Sequence, residues 1–197
     1  MSSGFQRHRR SGRVIATFSG LEADLLRSLA AQLVELLRNE SAVVDERDPL
    51  EALLDFSGPS TPPDDPVLAR LFPTAYPDDD EAAAEFRRFT EGSLRDGKAR
   101  SAGQVIDTLE DAGLPPLLEE DGLVIDVELE ADEAMTWLRF LADVRLALGT
   151  RLEVSDDDED YWWSLPDDDP RAQTYDLYAW LTALQSTMVD AVSHGLK

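Results

Sequence analysis

The fold depends most on residues 132–148, which read DEAMTWLRFLADVRLAL. At 100° per residue, the large apolar side chains of this stretch point to several sides of a helix rather than to one. We therefore predict a helix from Asp132 to Leu148 that is buried at the centre of the fold. Gly149 is predicted to end it, because glycine is common just after the last residue of a helix.

Arg145 is unusual in this helix because it falls on the same face as Trp137 and Leu141. An unpaired guanidinium buried there would cost roughly 3–5 kcal/mol. Arg145 must therefore reach the edge of the helix or meet a carboxylate of another element. We favour an internal ion pair that orients helices over a site for a ligand anion.

Two stretches outside this helix have the features of β-strands. Residues 122–129 read GLVIDVEL, with a β-branched centre followed by apolar and acidic alternation. Near the N-terminus, Phe5–Arg9 and Val14–Phe18 flank Ser11-Gly12, so we predict a hairpin that the strand near 122–129 can join.

Further helices are predicted on both sides of the strand. Ser19 and Glu22 have the spacing of a capping box before a leucine-rich helix over 21–39. Gly92 and Gly97 separate a segment around Phe86 from a further helix that ends near Gly113. The last helix is predicted over 175–192, where the apolar residues fall on one arc.

The predicted architecture is α+β and predominantly helical, a single domain over residues 1–197 with a small antiparallel sheet formed by the N-terminal hairpin and the strand near 122–129. Residues 57–66 are rich in proline and form an internal loop. Residues 155–170 are predicted as an acidic loop.

Composition narrows the classes of function. The chain has 197 residues, 18 Lys and Arg against 41 Asp and Glu, a formal net charge of −23 and no cysteine. Disulfides, thiolate metal sites, cysteine nucleophiles and thiol redox switches are thereby excluded. The apolar runs fall well short of the ~18 residues that span a bilayer, and residues 1–13 lack the apolar core of a signal peptide. We expect a cytoplasmic protein without membrane contact.

The acidic runs do not form a recognisable metal site. An EF-hand loop that begins at Asp156 would need glycine where Tyr161 stands and glutamate where Asp167 stands. Histidine occurs only at His8 and His194, so no Ser-His-Asp arrangement is readily assembled. We predict no catalytic, metal-binding or cofactor-binding residue and therefore no enzyme. The alternative is a metal-dependent or carboxylate-based enzyme that uses the acidic loops.

The N-terminal stretch contains the basic cluster of the sequence, which consists of Arg7, His8, Arg9, Arg10 and Arg13. Such a cluster can contact nucleic acid, but a body with a charge of −23 repels the same phosphates. We expect no direct binding of nucleic acid, and we expect the arginines to pair with the protein's own acids across a hairpin.

Aromatic residues lie beside the acidic runs of the C-terminal half. Tyrosine and tryptophan are enriched at the centres of protein interfaces. The candidate partner-binding residues are therefore Asp157, Asp158, Tyr161, Trp162, Trp163 and Tyr178. Trp162 and Trp163 cannot easily face one core, because adjacent helical residues point about 100° apart, and interface and packing roles remain equally open for them.

Three stretches together resemble a known family. They are residues 65–73 (DPVLARLFP), residues 143–149 (DVRLALG) and residues 178–185 (YAWLTALQ). They are similar to an actinobacterial family carried as a domain of unknown function, which includes the oxidative-stress regulator AosR. The resemblance extends over nearly the whole chain.

The resemblance implies a non-enzymatic cytoplasmic regulator of transcription. Members of the described branch bind a sigma factor used in oxidative stress rather than reading DNA, and they sense oxidation through a Cys-x-x-x-Cys disulfide. This chain has no cysteine, so it carries no equivalent redox residue. We expect a sigma factor, an RNA polymerase component or another basic protein surface as the partner, and a homodimer along the apolar helices is an open alternative.

Overall fold

The computed structural model describes residues 4–43, 59–118, 122–155, 158–166 and 168–193. The described residues form three strands and six helices. In chain order these are β1 (Gln6–Arg7), β2 (Val14–Ser19), α1 (Gly20–Val43), α2 (Pro66–Leu71), α3 (Asp80–Asp111), β3 (Val124–Leu129), α4 (Ala131–Leu152), α5 (Glu159–Trp163) and α6 (Pro170–Ser193). The predicted class, a predominantly helical α+β fold with a small antiparallel sheet, is confirmed.

Helix α4 lies at the centre of the fold, as predicted. It packs against α2, α3, α6 and the sheet, and the side chains of Trp137, Phe140 and Leu141 are fully buried. A helix with large apolar residues on several sides requires neighbours in each of those directions. The other elements are therefore arranged about this one.

The predicted end of α4 at Gly149 is wrong. The helix continues to Leu152, and Glu153 then adopts the left-handed conformation with a φ of 56°. A Cβ atom placed on Gly149 would lie 3.2 Å from the ring of Tyr178 on α6. The glycine thus serves the close approach of two helices rather than helix termination.

The sheet has the order β1-β2-β3, and both strand pairs are antiparallel. This confirms the predicted hairpin and the strand that joins it. One face of the sheet is buried, through Phe18 and the alternate residues of β2 and β3. The rings of Phe5, Phe18 and Trp137 lie 5.7–6.2 Å apart, so an aromatic cluster joins this face to α4.

Arg13 follows the prediction that N-terminal arginines pair with the protein's own acids. Its guanidinium contacts the carboxylates of Glu128 and Glu130, and Nη1 lies 3.5 Å from Oε1 of Glu128. The hydrogen bond and charge of Glu130 raise the pKa of Arg13. Arg13 lies just before β2, and the acids lie on β3 and just after it, so the pairing joins this end of β2 to β3 rather than crossing the β1–β2 hairpin.

The ends of the helices follow local capping rules. Ser19 and Glu22 form the predicted capping box at the start of α1, with Ser19 N–H donating to Oε2 of Glu22 over 2.8 Å. Asp65 caps α2 by accepting hydrogen bonds from the next helical N–H groups, and Pro66 occupies the first helical position. Helix α6 begins at Pro170, five residues before its predicted start.

Helix α3 differs from the two segments predicted around Gly92 and Gly97. It is one continuous helix of 32 residues that passes through both glycines. Buried side chains hold α3 against the rest of the fold both before and after the two glycines. The glycines therefore weaken the helix locally without interrupting it.

A row of buried charges lies on the buried face of α3. Glu91 accepts from Nη1 of Arg87 at 2.5 Å and from Nη2 of Arg95 at 2.7 Å, and the three side chains are 10% exposed or less. Arg87 also donates to the carbonyl oxygen of Phe72, and the guanidinium of Arg95 lies 4.7 Å from the Phe72 ring. The row thus joins α3 to the end of α2 through hydrogen bonds and a cation–π contact.

We expect Glu91→Ala to lower the free energy of unfolding by about 3–5 kcal/mol, because it leaves two buried guanidinium groups without their shared carboxylate. Urea denaturation followed by circular dichroism measures this change. Asp107→Ala, which removes an exposed carboxylate from the same helix, is the control and should change the value by less than about 0.5 kcal/mol. Equal effects of the two variants would contradict the role given to Glu91.

Candidate partner surface

The predicted partner-binding aromatic residues lie together on α5 and the first turns of α6. We call Tyr161, Trp162, Trp163, Tyr175 and Tyr178 the aromatic row. Adjacent rings of the row have centroids 5.0–6.2 Å apart, and Trp162 stacks on Tyr175 with an angle of 5° between their planes. Sequence reasoning missed the central position of Tyr175, although its place three residues before Tyr178 was a usable signal.

Helix α5 turns its two tryptophans in different directions. It is a single short helix within the stretch predicted as an acidic loop, and Trp162 N–H donates to the carbonyl oxygen of Asp158 over 3.1 Å. Trp162 is 6% exposed, whereas Trp163 is 68% exposed. Trp162 therefore packs on the buried side of the row, and the ring of Trp163 is exposed to solvent.

Arg171 fixes the position of α5 relative to α6. Its Nη2 lies 2.7 Å from Oδ2 of Asp169, and its Nη1 donates to the hydroxyl oxygen of Tyr161 over 2.9 Å. Asp169 also accepts from the backbone N–H of Arg171 over 2.9 Å and so caps α6 before Pro170. The hydrogen bond from Arg171 lowers the pKa of Asp169, and the same contact raises the pKa of Arg171.

Tyr178 is half-buried and lies against the backbone of α4 at Gly149. Its ring closes the end of the aromatic row that is nearest to α4. Since α4 and α6 form one of the most extensive helix contacts of the fold, the row rests on a rigid base.

Acidic residues lie close in sequence to the residues of the row. Asp158 is half-exposed, while Asp160, Asp168 and Asp176 are exposed. Asp157, also predicted to contact a partner, lies outside the described residues. Exposed rings among carboxylates provide both cation–π contacts and charge attraction for lysine and arginine side chains. The arrangement is suited to a cationic protein surface.

The ion pair between helices that we predicted for Arg145 on α4 is formed by another residue of this helix. Arg145 is half-buried, and within the described ranges no ion pair joins it to an acid. The buried arc of α4 instead includes Asp143, whose Oδ1 lies 2.5 Å from Nζ of Lys98 on α3. Sequence reasoning missed Asp143, because one acid among 41 carries no signal of its own.

The described residues contain no group of three or more His, Cys, Asp or Glu side chains placed to hold a metal ion. Among their carboxyl groups, burial raises the pKa of Asp143, and the hydrogen bond and charge of Lys98 partly offset that rise. Asp143 thus belongs to an internal ion pair between two helices. The part of the chain that the structure describes also has no helix with the length and hydropathy needed to cross a membrane.

Comparison with known proteins identifies a family and named relatives. The family model described as Domain of unknown function (DUF2017) matches residues 2–192. The protein named "Oxidative stress regulator AosR" in Mycobacterium tuberculosis is 32% identical over 183 residues, covering 85% of this chain and 77% of the relative. The Mycobacterium leprae protein named "Putative oxidative stress regulator AosR" is 33% identical over 186 residues, covering 87% and 78%. No solved structure matches the chain.

The Asp143–Lys98 pair predicts a pH dependence of stability. Because burial raises the folded pKa of Asp143, the folded state holds this proton more tightly than the unfolded state, and the contribution of Asp143 to stability falls as pH rises through that window. The free energy of unfolding of the wild type should therefore fall relative to Asp143→Asn as pH rises above about 4, the ordinary pKa of aspartate in the unfolded chain. Urea denaturation across this range measures the difference.

Lys98→Met tests the same pair from the other side. Without the ammonium group, burial acts alone on the Asp143 carboxyl, so the loss of stability with rising pH should be steeper than in the wild type. A shallower slope in Lys98→Met, or no difference in slope between the wild type and Asp143→Asn, would contradict this assignment.

Proposed function

Because this chain belongs to the DUF2017 family, we propose that it is a non-enzymatic regulator of transcription in the oxidative stress response. It acts in the cytoplasm by contact with a sigma factor or another RNA polymerase component. The names of its mycobacterial relatives support a regulatory role in oxidative stress. The mode of action is argued from the surface chemistry of the chain itself.

The observation that carries the proposal is the partly exposed aromatic row, together with the acidic residues close to it in sequence. Trp163 is 68% exposed and Tyr161 is 46% exposed, yet both are held in place, Trp163 by its edge contact with Tyr175 and Tyr161 by its bond to Arg171. Exposed rings that are already ordered lose little conformational entropy on binding. They are therefore good anchors for a protein interface.

The charge of the chain specifies the partner's chemistry. With a formal net charge of −23, the protein attracts a basic protein surface over roughly 8 Å at physiological salt and raises the rate of encounter with it. It repels the phosphates of DNA by the same field. Contact with a basic region of a transcription protein therefore fits this charge better than direct reading of DNA.

The absence of cysteine limits the ways in which such a regulator can respond to oxidants. A thiol–disulfide switch within this chain is excluded because it has no sulfhydryl group. We propose that the contact forms without oxidation of the chain, so the oxidant signal enters through the partner or through the amount of protein present.

Affinity capture from a mycobacterial lysate at about 50 mM and about 500 mM salt tests the contact. We expect mass spectrometry to recover a sigma factor or RNA polymerase subunits at low salt and much less at high salt. The double variant Tyr161→Ala and Trp163→Ala should reduce recovery at least about tenfold, since two central anchors are lost.

Leu117→Ala is the matched control for the capture experiment, because it removes an apolar side chain of similar exposure, 73%, far along the chain from the row. It should leave recovery unchanged. Failure to recover any transcription component at low salt, or equal recovery by the double variant and the wild type, would count against the proposal.

Thiol oxidation supplies a separate prediction. Treatment of the isolated chain with the thiol oxidant diamide should leave its affinity for the recovered partner unchanged, because the reagent has no target in it. Calorimetric titration with untreated partner measures this affinity. A loss of binding after treatment of this chain alone would show that a group other than a thiol responds.

A further inference from the structure

The N-terminal half of α3 has an exposed apolar stripe that the aromatic row does not include. Phe86, Phe89 and Leu94 are 43%, 65% and 49% exposed. At 100° per residue, Phe86, Phe89, Ser93 and Gly97 fall within about 80° of arc. We call these four residues the α3 stripe. The buried row of Arg87, Glu91 and Arg95 lies 100–180° round the helix from Phe86, so the stripe faces away from that row. One edge of the stripe contacts the rest of the chain, where the ring of Phe86 meets the ring of Tyr76 edge to face with centroids 5.8 Å apart, and Phe86 remains 43% exposed.

The two ends of the stripe differ in side-chain size, because Phe86 lies at one end and Gly97, which has no side chain, lies at the other. Gly97 is half-exposed, and a Cβ atom placed on it would meet no atom within 4 Å. Glycine within a helix is destabilising relative to alanine, and no neighbour in the described part of this chain requires the space above it. The open position lies three turns along the same face from the ring of Phe86.

We propose that the α3 stripe is the contact surface of a homodimer, in which a second copy of this chain packs antiparallel across a two-fold axis between residues 91 and 92. In this arrangement, residues whose numbers add up to 183 face one another. Phe86 of each copy then fills the space above Gly97 of the other, and Thr90 faces Ser93. The large end of the stripe is thus complementary to its own small end, which an isologous interface requires.

Charges beside the stripe fit the same arrangement. Glu85 lies just before the stripe on one flank of α3, whereas Arg100 lies just beyond the Gly97 end and within the arc of the stripe. The two are about 60° apart around the helix, and both are exposed. Within the described ranges neither forms an ion pair. In the antiparallel arrangement Glu85 of one copy is opposite position 98 of the other, so that Arg100 lies two residues, or about 3 Å along the helix, from the facing position on each side of the axis. A parallel arrangement would place like charges together instead.

Size and net charge determine the strength of the association. Residues 85–100 form about 24 Å of helix at 1.5 Å per residue, so the interface is at the small end of the range and a dissociation constant in the micromolar range is expected. Each copy has a formal net charge of −23, and the two bodies therefore repel one another. Added salt screens that repulsion, so the dimer should tighten as salt rises, opposite to the salt response expected for the basic partner.

Sedimentation equilibrium of the full chain at moderate salt tests the proposal. The wild type should show a concentration-dependent dimer. Gly97→Trp fills the space that Phe86 of the second copy needs and should weaken association at least about tenfold. Gly103→Trp is the matched control, because Gly103 is also half-exposed with no atom within 4 Å of an added Cβ but lies off the stripe, and it should associate like the wild type.

Charge exchange tests the antiparallel register. Glu85→Arg should weaken association because it places two arginines together, and the double variant Glu85→Arg and Arg100→Glu should restore it. A chain that stays monomeric at all concentrations and salts would overturn the proposal. So would a Gly97→Trp variant that dimerises like the wild type, or a double variant that fails to recover. The capture experiment on the aromatic row is independent of each of these results.

Discussion

Burial of α4 on several sides is the constraint on which this fold depends. Trp137, Phe140 and Leu141 require apolar neighbours in several directions, and the sheet, α2, α3 and α6 supply them. The same requirement brings α6 against α4 at Gly149, where Tyr178 rests. The aromatic row is consequently built on the most constrained part of the molecule, which explains how its outer rings are held in place while exposed.

The periodicity of apolar residues was sufficient to predict the strands and helices whose sequence pattern is local. The alternation of residues 122–129 and the multi-sided apolar content of α4 predicted a strand and a central helix, and both are observed. Prediction was wrong where a tertiary contact outweighs a local preference. Gly149 has the features of a helix end, yet the ring of Tyr178 is the reason for the glycine.

Charged residues were the hardest to interpret from the sequence. Arg87, Glu91 and Arg95 have the i, i+4 spacing of an exposed ion-pair ladder, and only the position of Phe72 shows that they are buried. Tyr161, Trp162 and Trp163 were predicted as candidates together. Which of the two tryptophans faces solvent depends on the packing of Trp162 against Tyr175, a contact that no local pattern specifies.

The arginines and lysines that the structure describes lie in the hairpin and the helices, and several neutralise carboxylates within the fold. The sequence has no basic residue from Ala112 to Glu130 or from Glu153 to Pro170. Trypsin therefore has no cleavage site in either of these two segments, which include β3 and α5, and most of its sites lie in helices that must open before they can be cut. A glutamate-specific protease has target residues in both segments, so the two enzymes together distinguish local opening of the helices from cleavage in these two segments.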